Sequence, residues 1–140
     1  SIASAVRGGH DQTNYSMLSA GIVAAQAVER SDFDLAVSQL TYALNKAATE
    51  ELKALISLRL ARLELELDQL DAALMRVRNS LEPGFAATRA ELEGDILVAK
   101  GLEGEARVNY LEARRILISQ GRNTALVDLK LSGLPDEVSE

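Results

Sequence analysis

The chain has 140 residues, 47% of them hydrophobic and 26% charged, and this length supports one domain with a continuous core. Its net charge of −6 argues against nucleic acid and anionic membrane surfaces as partners, because both attract clustered Lys and Arg. The absence of cysteine excludes disulfides, zinc–thiolate sites, iron–sulfur clusters and thiol catalysis.

The N-terminal residues 1–14 combine a glycine pair with polar side chains and little periodicity, which predicts a flexible stem. A helix is predicted from Tyr15 to Arg30. Its apolar window, Leu18 to Val28, is too short to span a bilayer. Because Ser1 is not a natural start, we expect the stem to be the remnant of a linker to a missing N-terminal membrane anchor.

Two helices are predicted next. The first covers about 32–46, with Ser31 as its N-cap and Asp34 in a capping box. The second opens after Thr49, an N-cap residue followed by two acidic residues that favour the helix dipole. The segment LELEL at 63–67 alternates as a β-strand would, but the wider spacing is helical and its polar residues are helix formers. That helical stripe comprises Ile56, Leu60, Leu63, Leu67, Leu70 and Leu74.

The C-terminal half predicts four more helices. Asp68 and Gln69 are read as a tight turn into a helix that ends near Leu81, before the breaker Glu82-Pro83-Gly84. Further helices are predicted at 85–100, 102–120 and 123–131. Gly101 suits the turn between two of them and Gly121 suits a left-handed C-cap. An acidic tail, 135–140, is expected to lie in solvent.

Small residues recur along the helices at intervals of 37 and 33 residues. The recurring positions are Ala24, Ala61 and Gly94, and in the following helices Ala36, Ala73 and Ala106. Two helices approach closely only where their side chains are small. The pattern resembles the tetratricopeptide repeat, which implies an all-α, tetratricopeptide-repeat-like helical solenoid of about three helix pairs plus a C-terminal capping helix. A plain helical bundle is the alternative.

In this interpretation the repeat domain covers 15–134. Its units are predicted at about 17–47, 50–82 and 87–120, with the cap at 122–132.

A narrower resemblance covers nearly the whole chain. It is carried by the segments NYSMLSAGIVAAQAVERSDFDLAVSQL, ELKALISLRLARLELELDQLDAAL, EPGFAATRAELEGDILVAKG and LVDLKLSGLP. In order and spacing these are similar to the periplasmic domain of the YfgM family, the ancillary subunits of the SecYEG translocon. The resemblance implies a membrane-anchored scaffold on the periplasmic side of the inner membrane. Its partners would be the SecYEG translocon, a PpiD-like periplasmic chaperone and exported clients.

Catalytic chemistry is not predicted. His10 and Asp11 are adjacent but fall in the stem, with no nucleophile placed beside them. Acidic residues such as Glu64 and Asp71 are interpreted as solvating charges on helix surfaces. The glycine pairs lack the strand, loop and lysine of a phosphate-binding loop. The sequence therefore predicts no catalytic, cofactor-binding or metal-binding residue and no enzymatic activity.

The repeat register predicts a partner-binding groove, because the first helix of each pair lines the concave side of such a stack. Its residues are Leu18, Val28, Leu55, Leu58, Arg62, Leu65, Glu91, Asp95 and Val98. An apolar groove with acidic flanks suits a helix or extended segment of another protein.

Three alternatives remain open at this point. The groove is covered by the missing upstream segment or by the chain's own last helix, through Leu126, Leu129 and Leu131. The domain is a structural helical assembly subunit whose groove is filled by a second copy. Or it is a cytosolic tetratricopeptide adaptor.

Overall fold

The computed structural model describes residues 32–135, and all regular elements within this range are helical. The helices are α1 (Phe33–Lys46), α2 (Glu50–Glu66), α3 (Leu70–Arg78), α4 (Ala86–Ala99), α5 (Glu103–Ser119) and α6 (Ala125–Ser132), with a 3₁₀ turn at Pro83–Phe85. The predicted all-α class is confirmed. The stem, the helix predicted at 15–30 and the end of the acidic tail lie outside the described residues.

Side-chain caps start the first two helices. The Thr49 hydroxyl accepts a hydrogen bond from the Leu52 amide at 3.1 Å, which confirms the predicted cap of α2. At α1 the cap is Asp32, whose carboxylate accepts from the Leu35 amide at 3.1 Å. The prediction of Ser31 was therefore wrong by one residue. A carboxylate satisfies the same amide and adds a favourable charge at the helix N-terminus.

Left-handed residues close three of the turns. Asp68 has φ of 61°, Gly101 of 80° and Gly121 of 66°. Glycine adopts this conformation freely and aspartate tolerates it, so each turn stands where the sequence predicts one. One helix end differs from the prediction, since α3 stops at Arg78 rather than near Leu81. The amides of Asn79 and Ser80 bond to carbonyls of the last helical turn, which ends the helix before the proline.

The chain divides into two compact units, 1–68 and 69–140. In the described part of the first unit, α1 packs against α2. The buried residues of this contact are Ala36, Leu40, Ala43, Ile56, Leu60 and Leu63. Three residues of the predicted stripe, Ile56, Leu60 and Leu63, therefore face this core, whereas Leu70 and Leu74 lie on α3 and Leu74 packs against the core of the second unit. The alanines of α1 are fully buried, which allows close approach of the two helices.

The second unit contains α3 to α6. Helix α4 packs against both α3 and α5, and α6 packs against α5. The core of this unit consists of Ala87, Ala90, Leu97, Ala106, Tyr110, Ala113, Leu117 and Val127. The division between the units falls at the Asp68–Gln69 turn, inside the predicted repeat 50–82. The repeat boundaries themselves stay a prediction.

Candidate protein-binding surface

Helix α2 buries leucine on two faces. The first face carries Leu60 in the contact with α1. The second carries Leu58, which lies outside that cluster and is nevertheless only 5% exposed. Its neighbours on this face, Ala54 and Ala61, are also buried. Leu58 is therefore a buried residue of the folded chain, and a partner can reach this face only at its margins.

The margins of that face are accessible. Leu55 and Leu65 are half-buried, and Arg62 is exposed. Because these residues are spaced seven and three apart, they lie along one side of the helix. The first unit thus offers an apolar strip that carries a cation, formed by the predicted groove residues of α2 other than the buried Leu58.

The predicted groove residues of α4 belong to an ionic cluster within the second unit. Glu91 and Asp95 both accept hydrogen bonds from the Lys130 ammonium of α6, at 2.6 and 3.0 Å. Asp95 also accepts one from the Tyr110 hydroxyl at 2.6 Å. The side chains of Glu91, Asp95 and Lys130 are at least three-quarters buried. The predicted acidic flank is therefore already paired with a lysine of the same chain, which offsets one of its two negative charges. Val98, one turn further along α4, is exposed.

Helix α6 is held in the second unit by apolar packing and by ion pairs of Lys130 and Asp128. Val127 is buried in the core of the second unit. The Asp128 carboxylate accepts from the Thr124 hydroxyl at 2.8 Å and from the Arg114 guanidinium at 2.7 Å. Both hydrogen bonds favour the ionised carboxylate, so they hold the pKa of Asp128 below its ordinary value, with the Thr124 bond as the larger cause.

The expectation that this last helix covers a groove through its leucines is corrected in part. Leu126 and Leu129 are 58% and 68% exposed, and only Leu131 of the three packs against the core. The helix is short and apolar on several sides, so one face had to be chosen by packing, and the β-branched Val127 occupies it.

Gly94 sets the distance between α4 and α5. A Cβ atom at this position would lie 2.4 to 2.9 Å from three ring atoms of Tyr110, closer than van der Waals contact allows. The absence of a side chain lets the Tyr110 ring lie against the backbone of α4, and its hydroxyl then reaches Asp95. The small residue predicted at this helix crossing is therefore confirmed, and it also places the ionic cluster.

Two carboxylates are buried contrary to the sequence analysis. Glu64 was interpreted as a solvating surface charge and is 7% exposed, and the burial of Glu93 was not anticipated. Glu93 of α4 is buried and accepts a hydrogen bond from Arg78 of α3 at 2.9 Å. The Nη1 atom of Arg89, one turn earlier on α4, lies 3.9 Å from the Oε1 atom of Glu93. The Arg78 pairing spans 15 residues and follows no local spacing rule, whereas the Arg89 pairing has the i,i+4 spacing that could have suggested it.

Other features considered in the sequence analysis either lie outside the described residues or concern metal binding and membrane crossing. Leu18 and Val28, like His10 and Asp11, lie outside the described residues. Among residues 32–135, no group of three or more His, Cys, Asp or Glu side chains could hold a metal ion. In the same range, no helix combines the length and the apolar character that crossing a membrane requires.

Comparison with known proteins gives a family and a set of relatives. Residues 1–136 match the family model described as a tetratricopeptide repeat-like domain. The ancillary SecYEG translocon subunit of Escherichia coli is 37% identical over 69% of this chain and 47% of its own length. The subunit of the same name from Haemophilus influenzae is 33% identical over 76% of this chain and 52% of its own length.

A third relative with that name, from Neisseria gonorrhoeae, is 27% identical over 81% of this chain and 54% of its own length. The chain spans about half the length of these curated relatives. No solved structure matches it significantly.

Proposed function

Because the chain belongs to the tetratricopeptide repeat-like domain family, we propose that it is a non-catalytic protein-binding domain that serves a SecYEG-type translocon. The observation that carries this proposal is the similarity to ancillary SecYEG translocon subunits over more than two-thirds of the chain. In the full-length protein the domain stands on the periplasmic side of the inner membrane. There it binds a PpiD-like chaperone and assists exported clients.

The surface proposed for this binding in the first unit is the margin of α2 formed by Leu55, Arg62 and Leu65. Two half-buried leucines supply apolar contact without leaving a large hydrophobic surface in water. Arg62 supplies a charge that selects among partner segments, since charges at an interface contribute specificity more than affinity. Leu58 supports this surface from within and does not contact the partner.

The experiment measures binding of the 140-residue chain to purified SecYEG in nanodiscs and, separately, to a purified PpiD-like chaperone. The test variant is Arg62→Glu/Leu65→Glu. Its matched control is Lys53→Glu, which makes the same charge reversal at an exposed position on the opposite side of α2. We expect the test variant to bind roughly tenfold more weakly or worse, equivalent to about 1.4 kcal/mol or more, and the control to bind normally.

Two results would count against different parts of the proposal. If the unaltered chain binds neither SecYEG nor the chaperone, the translocon role is wrong. If the unaltered chain binds and Arg62→Glu/Leu65→Glu binds equally well, the α2 surface is wrong while the role stands. Circular dichroism of each variant separates loss of binding from loss of fold.

A further inference from the structure

Helix α5 carries an apolar row on its outer face. Val108 is 66% exposed, Leu111 48% and Ile118 53%. With Arg115 they are spaced 3, 4 and 3 residues apart, which is the spacing of a coiled-coil seam. Three large apolar side chains in line on one helix exceed the scattered exposure that is normal for a monomer.

The row is separate from the core face of the same helix. The residues of α5 that pack into the second unit are Ala106, Tyr110, Ala113 and Leu117. At 100° per residue, the centre of the exposed row lies about 140° from the centre of that buried set. The row therefore contributes nothing to the core of its own unit, and folding of this unit does not account for it.

The charges beside the row are asymmetric. Arg114 follows one edge and Glu112 the other, in the positions where coiled coils place the charges that choose a partner. Arg115 lies within the row and donates to both carboxylate oxygens of Glu112, at 3.0 and 2.6 Å. Those bonds use the Nε–H and one N–H of Nη2, so the remaining donors of a five-donor guanidinium face solvent.

This charge pattern disfavours a second copy of the chain as the occupant. In a parallel pairing of two α5 helices, Arg115 would face Arg115 of the copy across the seam. In an antiparallel pairing the like edges meet, so Arg114 would lie against Arg114 and Glu112 against Glu112. The parallel pairing brings the unlike edges together but places two guanidiniums in the apolar seam, and the antiparallel pairing places like charges along both edges, so each orientation contains a destabilising contact.

We propose that the outer face of α5 docks an amphipathic helix of another protein, with an apolar seam against Val108, Leu111 and Ile118 and a carboxylate opposite Arg115. Such a helix buries the exposed row and supplies the acceptor that Arg115 can still engage. The surface lies on α5, so this inference is independent of the α2 surface and of the translocon role.

The probe is a synthetic amphipathic peptide of about 21 residues, or three heptads, with leucine along its seam. One version has glutamate at the seam position that faces Arg115, and the other has lysine there. Fluorescence anisotropy of the labelled peptides measures binding to the whole chain. We expect the glutamate peptide to bind roughly tenfold more tightly than the lysine peptide, which is about 1.4 kcal/mol.

Three variants test the residues. Leu111→Glu should abolish binding of the glutamate peptide, and Arg115→Glu should reverse the preference toward the lysine peptide. Leu81→Glu, a matched control at a residue 72% exposed in the loop after α3, should bind as the unaltered chain does. All three positions are exposed, so the fold is retained, and circular dichroism verifies this.

Other occupants give results that overturn the proposal. Equal binding of the two peptides, or undiminished binding by Leu111→Glu, would show that α5 does not select an acidic helix. A dimer in sedimentation that Leu111→Glu dissolves would assign the row to a second copy. Binding to vesicles of phosphatidylglycerol and phosphatidylcholine, lost in Leu111→Glu and without peptide binding, would assign it to a membrane.

Discussion

Helices α2 and α4 occupy the same place in the predicted repeat, yet they satisfy their second face by opposite means. Ala61 in α2 and Gly94 in α4 hold the same register position, and both are buried. On the face that the register assigns to a partner, α2 carries Leu58, which the fold buries. On the corresponding face, α4 carries Glu91 and Asp95, which both pair with one lysine of α6.

The difference shows what a helical register determines and what it leaves open. Spacing assigns residues to a side of a helix, and for the core side of α2 that was enough. Whether the other side is apolar and buried or ionic and paired depends on groups distant in the chain. We therefore expect α2 to lose stability when the buried leucine of its second face is truncated, and α4 to lose stability when the lysine that pairs with its second face is removed.

Truncating Leu58, the buried leucine on the second face of α2, is expected to have the largest effect on stability. Leu58→Ala should lower the free energy of unfolding by about 2–5 kcal/mol, the range for a leucine truncated in a packed interior. Urea denaturation followed by circular dichroism measures the loss. Leu60→Ala, a truncation within the α1–α2 core, should cost a similar amount.

The control for this comparison is Leu65→Ala, at a half-buried position on the same side of α2. It should cost clearly less than Leu58→Ala, because less apolar surface leaves a buried site. A loss below roughly 1 kcal/mol for Leu58→Ala itself would mean that Leu58 is an accessible groove residue after all, as its register first indicates.

A methyl group at the crossing position should distinguish α4 from α2. Gly94→Ala should destabilise the chain by about 1–3 kcal/mol, because the new Cβ collides with the Tyr110 ring. Helix α2 already carries an alanine, Ala61, at this register position, and it is fully buried there. Thermal or urea unfolding gives the value.

The matched control for Gly94→Ala is Gly104→Ala in α5, where nothing lies within 4 Å of an added Cβ. That variant should be neutral or more stable by up to about 1 kcal/mol, since alanine favours a helix over glycine. Replacing Tyr110 with leucine in the Gly94→Ala background should recover part of the loss. Additive losses in the double variant would contradict the ring collision.

Breaking the ionic face of α4 should cost less than either change. Lys130→Met keeps most of the apolar stem of the lysine but leaves Glu91 and Asp95 without its ammonium. We expect a loss of about 1–2 kcal/mol, below the cost of breaking a fully buried pair, because the side chains retain some contact with water. Urea denaturation at neutral pH provides the measurement.

A matched variant, Lys100→Met, removes a lysine whose partner Asp71 is 90% exposed, and it should have a smaller effect. Glu91→Gln in the Lys130→Met background should restore part of the stability. If Lys130→Met and Lys100→Met behave alike, the face of α4 does not depend on α6.

The features that could be predicted from the sequence are the local ones. Thr49 caps α2 by accepting a hydrogen bond from the amide of Leu52, three positions away. Ile56, Leu60 and Leu63 follow the spacing of one face of a helix. Lys130 reaches carboxylates 39 and 35 residues away, a distance at which no spacing rule applies. The pairing of the acidic face of α4 with Lys130 therefore could not be predicted.

Two differences between predicted and observed burial, in α6 and at Leu58 of α2, have a related cause. Helix α6 has apolar residues on several sides, so periodicity could not choose Val127 over Leu126 and Leu129. Leu58 lies opposite the core stripe, and spacing alone does not distinguish a partner surface from a second buried face. Both outcomes depend on neighbours that are distant in sequence.

The smallest effect we expect is an acid sensitivity confined to the second unit. The pKa of Asp128 is lowered in the folded chain by the Thr124 hydroxyl and then by Arg114. A folded pKa below the unfolded one contributes stability above the unfolded pKa, near the ordinary aspartate value of 3.8, and this contribution is lost as the pH falls through the folded pKa.

Asp128→Asn should therefore flatten the loss of stability as the pH falls below the ordinary aspartate pKa of 3.8, and Thr124→Val should reproduce part of that flattening. Because Asp128 helps to hold α6, and α6 supplies Lys130 to α4, acid should also loosen the ionic face of α4 while leaving the apolar face of α2 unaffected. Urea midpoints across this range, with hydrogen exchange of α6 and α2 amides, measure both effects. Equal acid sensitivity of the two helices would contradict the contrast between their faces.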